Sequence, residues 1–221
     1  MQLKQDIKGF TILELLVVIT IVAVVSAVGY PNFMEWRKDR EVRAAAEKVA
    51  SMLTGISTQA QKGYFPFVQF QVTPLTGSVN FTSKGMSQDT MSIRLNQSST
   101  KRLDCTIVNA GYWDNHLVDI YTAEIGVNIS GSGAVCFSKD GSYFSEKNKL
   151  ENSQVTQIKL GGRNSDNYLI ICSPSSSGGG IIIIGSGSGS CGISKPQYLV
   201  EWSRFGNIKK YKWSGSDWNR Q

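Results

Sequence analysis

Histidine is almost absent from this chain: His116 is the single copy in 221 residues. Asp114 and Asp119 lie near it, yet no nucleophile stands in a recognisable motif beside them. G-x-S-x-G, H-E-x-x-H and the P-loop are all missing, which removes the usual serine-hydrolase, zinc-peptidase and nucleotide-hydrolase readings. Gly131-Ser132-Gly133 lacks the strand–helix flanks of a phosphate cradle and reads as a turn, as does Trp113-Asp114-Asn115-His116. No C-x-x-C pair occurs, so a zinc site has neither the cysteine spacing nor the histidines it needs. The expectations are therefore no enzyme, no cofactor, no metal and no small-molecule substrate. Internal repeats are missing as well.

Charge is the second scarcity, and it is local. From Phe10 to Tyr30 the only charged residue is Glu14. The run has the length of a membrane-spanning helix, about 20 residues. A carboxylate in hydrocarbon costs about 2.5–3.5 kcal/mol even on lenient insertion scales, so an intramembrane Glu is a functional residue by default. Lys4 and Lys8 precede the run and predict a cytoplasmic N-terminus, with everything after the span outside the cytoplasm. Val25-Ser26-Ala27 resembles a small-residue cleavage site and would give a mature chain starting at Val28. An ordinary secretory core, however, is 7–15 residues long and purely apolar.

Gly9-Phe10-Thr11-Ile12-Leu13-Glu14-Leu15-Leu16 resembles the class III signal of type IV pilins and type II secretion pseudopilins. That resemblance implies cleavage after Gly9 by a prepilin peptidase and N-methylation of Phe10. It also implies that Glu14 is the assembly carboxylate and Pro31 the helix-kinking proline. In a filament the new α-amino group of a neighbouring Phe10 can meet Glu14, a pairing suited to fixing register more than to adding stability. The implied partners are the prepilin peptidase, other pilin or pseudopilin subunits in a helical filament, and the inner membrane. The implied location is a single pass through that membrane with a periplasmic head, then a periplasmic or extracellular filament.

Pro31 lacks an N–H and disfavours helix at the residue before it, so a kink is expected there. Beyond it Val42, Ala45, Ala46, Val49, Met52, Leu53, Ile56 and Ala60 recur at helical spacing, an apolar stripe with a buried partner to find. Glu35, Arg37, Lys38, Asp39, Arg40, Glu41, Arg43, Glu47 and Lys48 take the other faces and read as solvated. Gly63 is a stop signal. A helix from Phe10 to Lys62 would be roughly 80 Å long.

From Tyr64 the pattern becomes short β-rich runs between Gly, Ser, Asn and Asp turns. The predicted strands are Phe65–Val72, Met91–Leu95, Thr106–Val108, Val118–Ile125, Ala134–Phe137, Val155–Leu160, Tyr168–Cys172, Ile181–Ile184, Tyr198–Trp202 and Ile208–Trp213. Asp140-Gly141 and Gly161-Gly162 are turn signals. Ser173–Ser190 is Gly/Ser-rich loop around Ile181–Ile184, which is placed as a hairpin partner of Tyr168–Cys172. The fold class is α+β: a long N-terminal helix packed on an antiparallel, β-rich C-terminal head. The domain reading is leader 1–9, membrane or filament-core helix 10–30, amphipathic helix 31–63 and head 64–221.

All four cysteines, Cys105, Cys136, Cys172 and Cys191, fall in the head, where an exported domain is oxidised. Three connectivities are open to them. The pairing adopted is Cys105–Cys136 with Cys172–Cys191, the latter closing the Gly/Ser loop.

Lys195–Gln221 carries six basic and two acidic residues, a net +4 of the chain's +6. Tyr198, Trp202, Phe205, Tyr211, Trp213 and Trp218 interleave with these charges. One reading is a terminal hairpin turning at Arg204-Phe205-Gly206-Asn207, its aromatics in the core and its lysines on a solvated face. The other is nucleic-acid binding, with Arg204, Lys209, Lys210 and Lys212 on phosphates and rings on bases. Phe137 to Gly141 and Tyr198–Trp213 resemble elements of GspH/FimT-type minor pilins, some of which bind DNA through a C-terminal Gly-Arg-x-Arg element. Here the stretch is Gly206-Asn207-Ile208-Lys209-Lys210, which does not match that element. The expected function is thus a minor pilin or pseudopilin of a type IV pilus or type II secretion filament; the alternative is a DNA-binding minor pilin for DNA uptake.

Overall fold

The computed structural model describes residues 9–75, 78–107, 109–114, 121–125, 128–129, 133–141, 158–160, 162–173 and 196–221. The chain divides into two compact units, Met1–Lys38 and Asp39–Gln221. Helix α1 (Ile12–Lys62) belongs to both, its first 27 residues to one and the rest to the other.

In the second unit all eight residues of the predicted stripe are 6 % exposed or less. They form the spine of the main core. Against them lie Val68, Phe70 and Val72 of β1 (Phe67–Leu75), Val79 and Phe81 of β2 (Ser78–Met86), and Val135 and Phe137 of β5 (Gly133–Ser138). Leu169 and Ile171 of β8 (Tyr168–Cys172) and Tyr198, Val200 and Trp202 of β9 (Gln197–Trp202) complete it. The helix ends where Gly63 takes φ +79. Its N–H donates to the Ala60 carbonyl at 3.1 Å and that of Tyr64 donates to Gln59 at 3.2 Å. This is the paired closure for which a glycine is needed.

Two antiparallel sheets share the helix. The first has the order β3-β2-β1-β5, with β3 at Tyr121–Ile125. The second has the order β11-β10-β9-β8-β4, with β4 at Asn128–Ile129, β10 at Ile208–Trp213 and β11 at Trp218–Arg220. A two-stranded ribbon, β6 (Ile158–Leu160) and β7 (Arg163–Ser165), turns through Gly162 at φ +82. Antiparallel sheets after one long helix make this an α+β, pilin-like fold, as the sequence predicts.

The β1 strand is buried on both faces from Phe67 to Phe70. Its second face, with Phe67, meets Met86, Met91, Leu103, Cys105, Trp113, Ala134 and Cys136 in a separate cluster. Met91–Leu95 belongs to this layer as part of helix α2 (Gln88–Gln97), not as the predicted strand. Alternation would have placed Met91, Ile93 and Leu95 together. In the helix Met91 and Leu95 pack inward while Ile93 is 55 % exposed. The start is fixed by Ser87, whose Oγ accepts from the Thr90 N–H at 3.3 Å. The Asp114 carboxylate accepts from the Ser87 N–H and the Thr90 hydroxyl. Such caps outweigh weak strand propensity.

Thr106–Val108 is also not a strand over its described part. Asp104 Oδ1 accepts from the Thr106 N–H at 2.9 Å and its hydroxyl at 2.7 Å, an Asx-type turn. The Cys105–Cys136 disulfide ties that turn to β5. Val108 lies outside the described residues. Cys172 is disulfide-bonded; Cys191, its expected partner, lies outside the described residues. So does Ile181–Ile184. At Ile171 and Cys172 the hairpin position predicted for that segment is filled, with β9 on one side and β4 on the other. Strands Tyr168–Cys172 and Ile208–Trp213 have the predicted bounds.

Candidate functional site: the N-terminal helix and the acidic anchors of the head

Gly9 and Phe10 precede the first turn, and Phe10 is 83 % exposed. Thr11 caps the helix: its Oγ1 accepts from the Glu14 N–H at 3.2 Å and its carbonyl from the Leu15 N–H at 3.1 Å. Thr11-x-x-Glu14 has the form of a capping box, in which the acid favours the positive end of the helix. Thr11 was not singled out from the sequence, although that spacing was there to find. The Glu14 carboxylate has no partner among the described residues. It stands four residues beyond Phe10, one helical turn from the bond that prepilin processing would cut.

The apolar run behind Glu14 is uncovered. Leu15, Leu16, Val17, Val18, Ile19, Ile21, Val22, Val24 and Val25 are all at least 46 % exposed. The one hydroxyl of a threonine in this stretch is satisfied within the helix, Thr20 Oγ1 donating to the Leu16 carbonyl at 2.6 Å. That removes the cost of an unpaired donor in an apolar setting. Pro31 lies inside α1. It cannot donate to the carbonyl of Ala27, and the helix is bent between Ala27 and Gly29. No single straight helix among the described residues is long and apolar enough to cross a membrane; the bent pair Ile12–Ala27 and Gly29–Lys62 is, by length and composition.

The basic residues of the C-terminal segment have specific places in the second unit. Ile208, Lys210 and Lys212 stand opposite Trp202, Val200 and Tyr198, the face that meets α1. Lys212 Nζ lies 2.9 Å from Asp39 Oδ1, and the Tyr198 hydroxyl donates to the same carboxyl at 3.2 Å. Lys210 Nζ lies 3.8 Å from Glu47 Oε1, which also accepts from Arg43 Nε at 3.0 Å. These lysines are half-buried over helix acids, which corrects the expectation of a solvated face. The bond to Asp39 raises the Lys212 pKa above its ordinary value against the effect of burial. Burial raises that of Tyr198, partly offset by Lys212.

Arg204 Nη2 donates to the Gly141 carbonyl at 2.6 Å, and its guanidinium lies 5.3 Å from the Phe205 ring centre. The turn at Asp140-Gly141 and the turn at Arg204–Asn207 are thereby brought together. Gly206, at φ +76, lies so close to Ser57 that a Cβ would sit 2.5 Å from Ser57 Cβ. Lys209 is on the opposite face, in register with Glu201. Glu201 is 4 % exposed and satisfied by Arg163 Nη2 at 2.5 Å and the Tyr211 hydroxyl at 3.1 Å. His116 and Asp119 lie outside the described residues, as do Gly131 and Ser132; Gly133 opens β5.

The fold is that of a pilin-like α+β protein. Residues 4–30 match the family model described as the prokaryotic N-terminal methylation motif. In this segment the chain is similar to type IV pilin-like substrates of the prepilin peptidase. Neither the curated proteins nor the solved structures contain a match to the chain.

Proposed function

We propose that this chain is a minor pilin or pseudopilin, a structural subunit of a type IV pilus or type II secretion filament. In this reading the prepilin peptidase cuts after Gly9, Phe10 is N-methylated, and the subunit waits in the inner membrane with its head in the periplasm. The observation that carries the reading is the conjunction at the start of α1. A carboxylate with no described partner follows the methylation-motif junction by one turn, at the head of a helix whose apolar surface is uncovered. Neighbouring helices in a filament would cover that surface, and the Phe10 amine of an adjacent subunit would meet Glu14. Burial of a helix face of this size is a large association term, while the ion pair sets the stagger. The role proposed for the chain is structural.

The test is assembly of a Glu14→Ala chain in the native host. Cross-linked ladders containing the subunit should disappear while cleavage at Gly9 persists. Ladders at the wild-type level would refute the role given to Glu14.

The DNA-uptake reading has less support. Lys212 and Lys210 are engaged by Asp39 and Glu47, and Arg204 by the Gly141 carbonyl. A phosphate would have to displace those two carboxylates and that carbonyl. A soluble chain from Met34 to Gln221 retains the whole second unit. It should give no salt-sensitive mobility shift with double- or single-stranded DNA, whose binding scales with the phosphates neutralised. A shift abolished by charge reversal at Lys209, Lys210 and Lys212 would restore the alternative.

A further inference from the structure

Eighteen residues of α1, Ile12 to Gly29, make about 27 Å of helix, close to the thickness of the hydrocarbon core. The residues that follow are of a different kind. Tyr30, Phe33 and Trp36 are 67 %, 56 % and 53 % exposed, the three aromatic rings of the first unit after Phe10. Steps of three residues turn a helix by about −60° each, so the three rings share roughly a third of its circumference. Phe33 and Trp36 are in ring contact, with centroids 5.8 Å apart. Glu35, the first acid after Glu14, falls on the opposite side of the helix by the same arithmetic. Tyr30 to Trp36 spans about 9 Å of rise, close to the depth of one interfacial layer.

We propose that Tyr30, Phe33 and Trp36 form an aromatic girdle that binds the phospholipid interface on the non-cytoplasmic side and sets the depth of the helix before assembly. The proposal rests on Phe10–Gly29 spanning the membrane. Three features favour a lipid boundary over a protein groove as occupant. The upstream stretch, which would meet hydrocarbon or helix, is dominated by Leu, Ile and Val, twelve of the eighteen residues from Ile12 to Gly29. At the position where hydrocarbon ends the composition changes to rings, two of which carry a polar edge. Tyrosine and tryptophan concentrate at that level because an apolar body and a hydrogen-bonding edge suit a mixed environment. The segment then passes into Arg37, Lys38 and Arg40, cations suited to the phosphate layer. Lys4 and Lys8 mark the other side.

The test uses the full chain reconstituted in phosphatidylethanolamine–phosphatidylglycerol vesicles. The contribution of Trp36 is isolated as the difference between wild type and Trp36→Phe fluorescence, because four other tryptophans lie in the second unit. The expected difference signal is blue-shifted, shielded from aqueous iodide, and quenched more by bromines near the headgroup end of the acyl chain than by bromines near the bilayer centre. Alkaline carbonate extraction, run in parallel, reports the span. A chain that resists carbonate but whose Trp36 signal is fully quenched by iodide, or is quenched most at the bilayer centre, overturns the girdle and leaves the span standing. A chain released by carbonate overturns both.

Discussion

Lys212→Met should weaken the second unit by about 1 kcal/mol. Nζ to Oδ1 at 2.9 Å corresponds to about 1.4 kcal/mol of attraction at the dielectric of water. The side chains are 40 % and 29 % exposed, so burial strengthens this only partly, and ordering a lysine subtracts from it. A coupling of about 0.5–1 kcal/mol between Lys212 and Asp39 is therefore expected from a double-mutant cycle with Asp39→Ala, measured by urea unfolding of the Met34–Gln221 chain. Each kcal/mol corresponds to about 2–4 °C in Tm for a domain of this size. The coupling should shrink as salt is raised from about 0.05 to 0.5 M, because the pair is partly solvated. The pH dependence has a fixed sign. Lys212 binds its proton more tightly folded than unfolded, so its contribution is complete below its ordinary value of 10.5 and is lost as pH rises through the higher folded value. Tyr198, also raised, acts in the same direction above its ordinary 10.0. A coupling indistinguishable from zero at low salt, or stability that rises with pH across this window, would refute the anchor.

Other perturbations probe the remaining joints. Leu53→Ala, at a fully buried site where α1 meets the main core, should cost about 2–5 kcal/mol in the same unfolding assay. Gly206→Ala should destabilise by more than about 1 kcal/mol, because the left-handed backbone and the approach to Ser57 act together. Ser87→Ala should cost about 1 kcal/mol through the lost cap of α2, and the neutral cap Ser87→Asn should restore most of it, whereas Ser87→Asp would set a second carboxylate beside Asp114.

The parts of this protein that were legible in the sequence are those governed by a single strong period. The stripe from Val42 to Ala60 and the Gly63 stop were readable because one helix face meets one core. Ile208–Trp213 was readable because alternating side chains meet different neighbours. Met91–Leu95 misled because an apolar residue at every second position imitates a strand, while the deciding signals were the Ser87 cap and the distant carboxylate of Asp114. Strand β2 gave little propensity signal: Ser78, Asn80, Ser83 and Gly85 are poor strand formers. It is held by nine-residue pairing with β1 and by β3 beyond it. The site divides in the same way. Gly9, Phe10 and Glu14 form a local motif, inside the stretch that matches the methylation-motif family model; Thr11 is local too and was overlooked. Asp39 and Glu47 could not be assigned, since their lysine partners are over 160 residues away in the chain and only the fold brings them together.

The proposal that this chain is a processed filament subunit is tested most directly at its mature N-terminus. Mass spectrometry of the protein from the membrane fraction should find a chain beginning at N-methylated Phe10, with Gly9 and everything before it removed. A mature chain beginning at Val28, or one that retains Met1 in cells with active prepilin peptidase, would contradict the account.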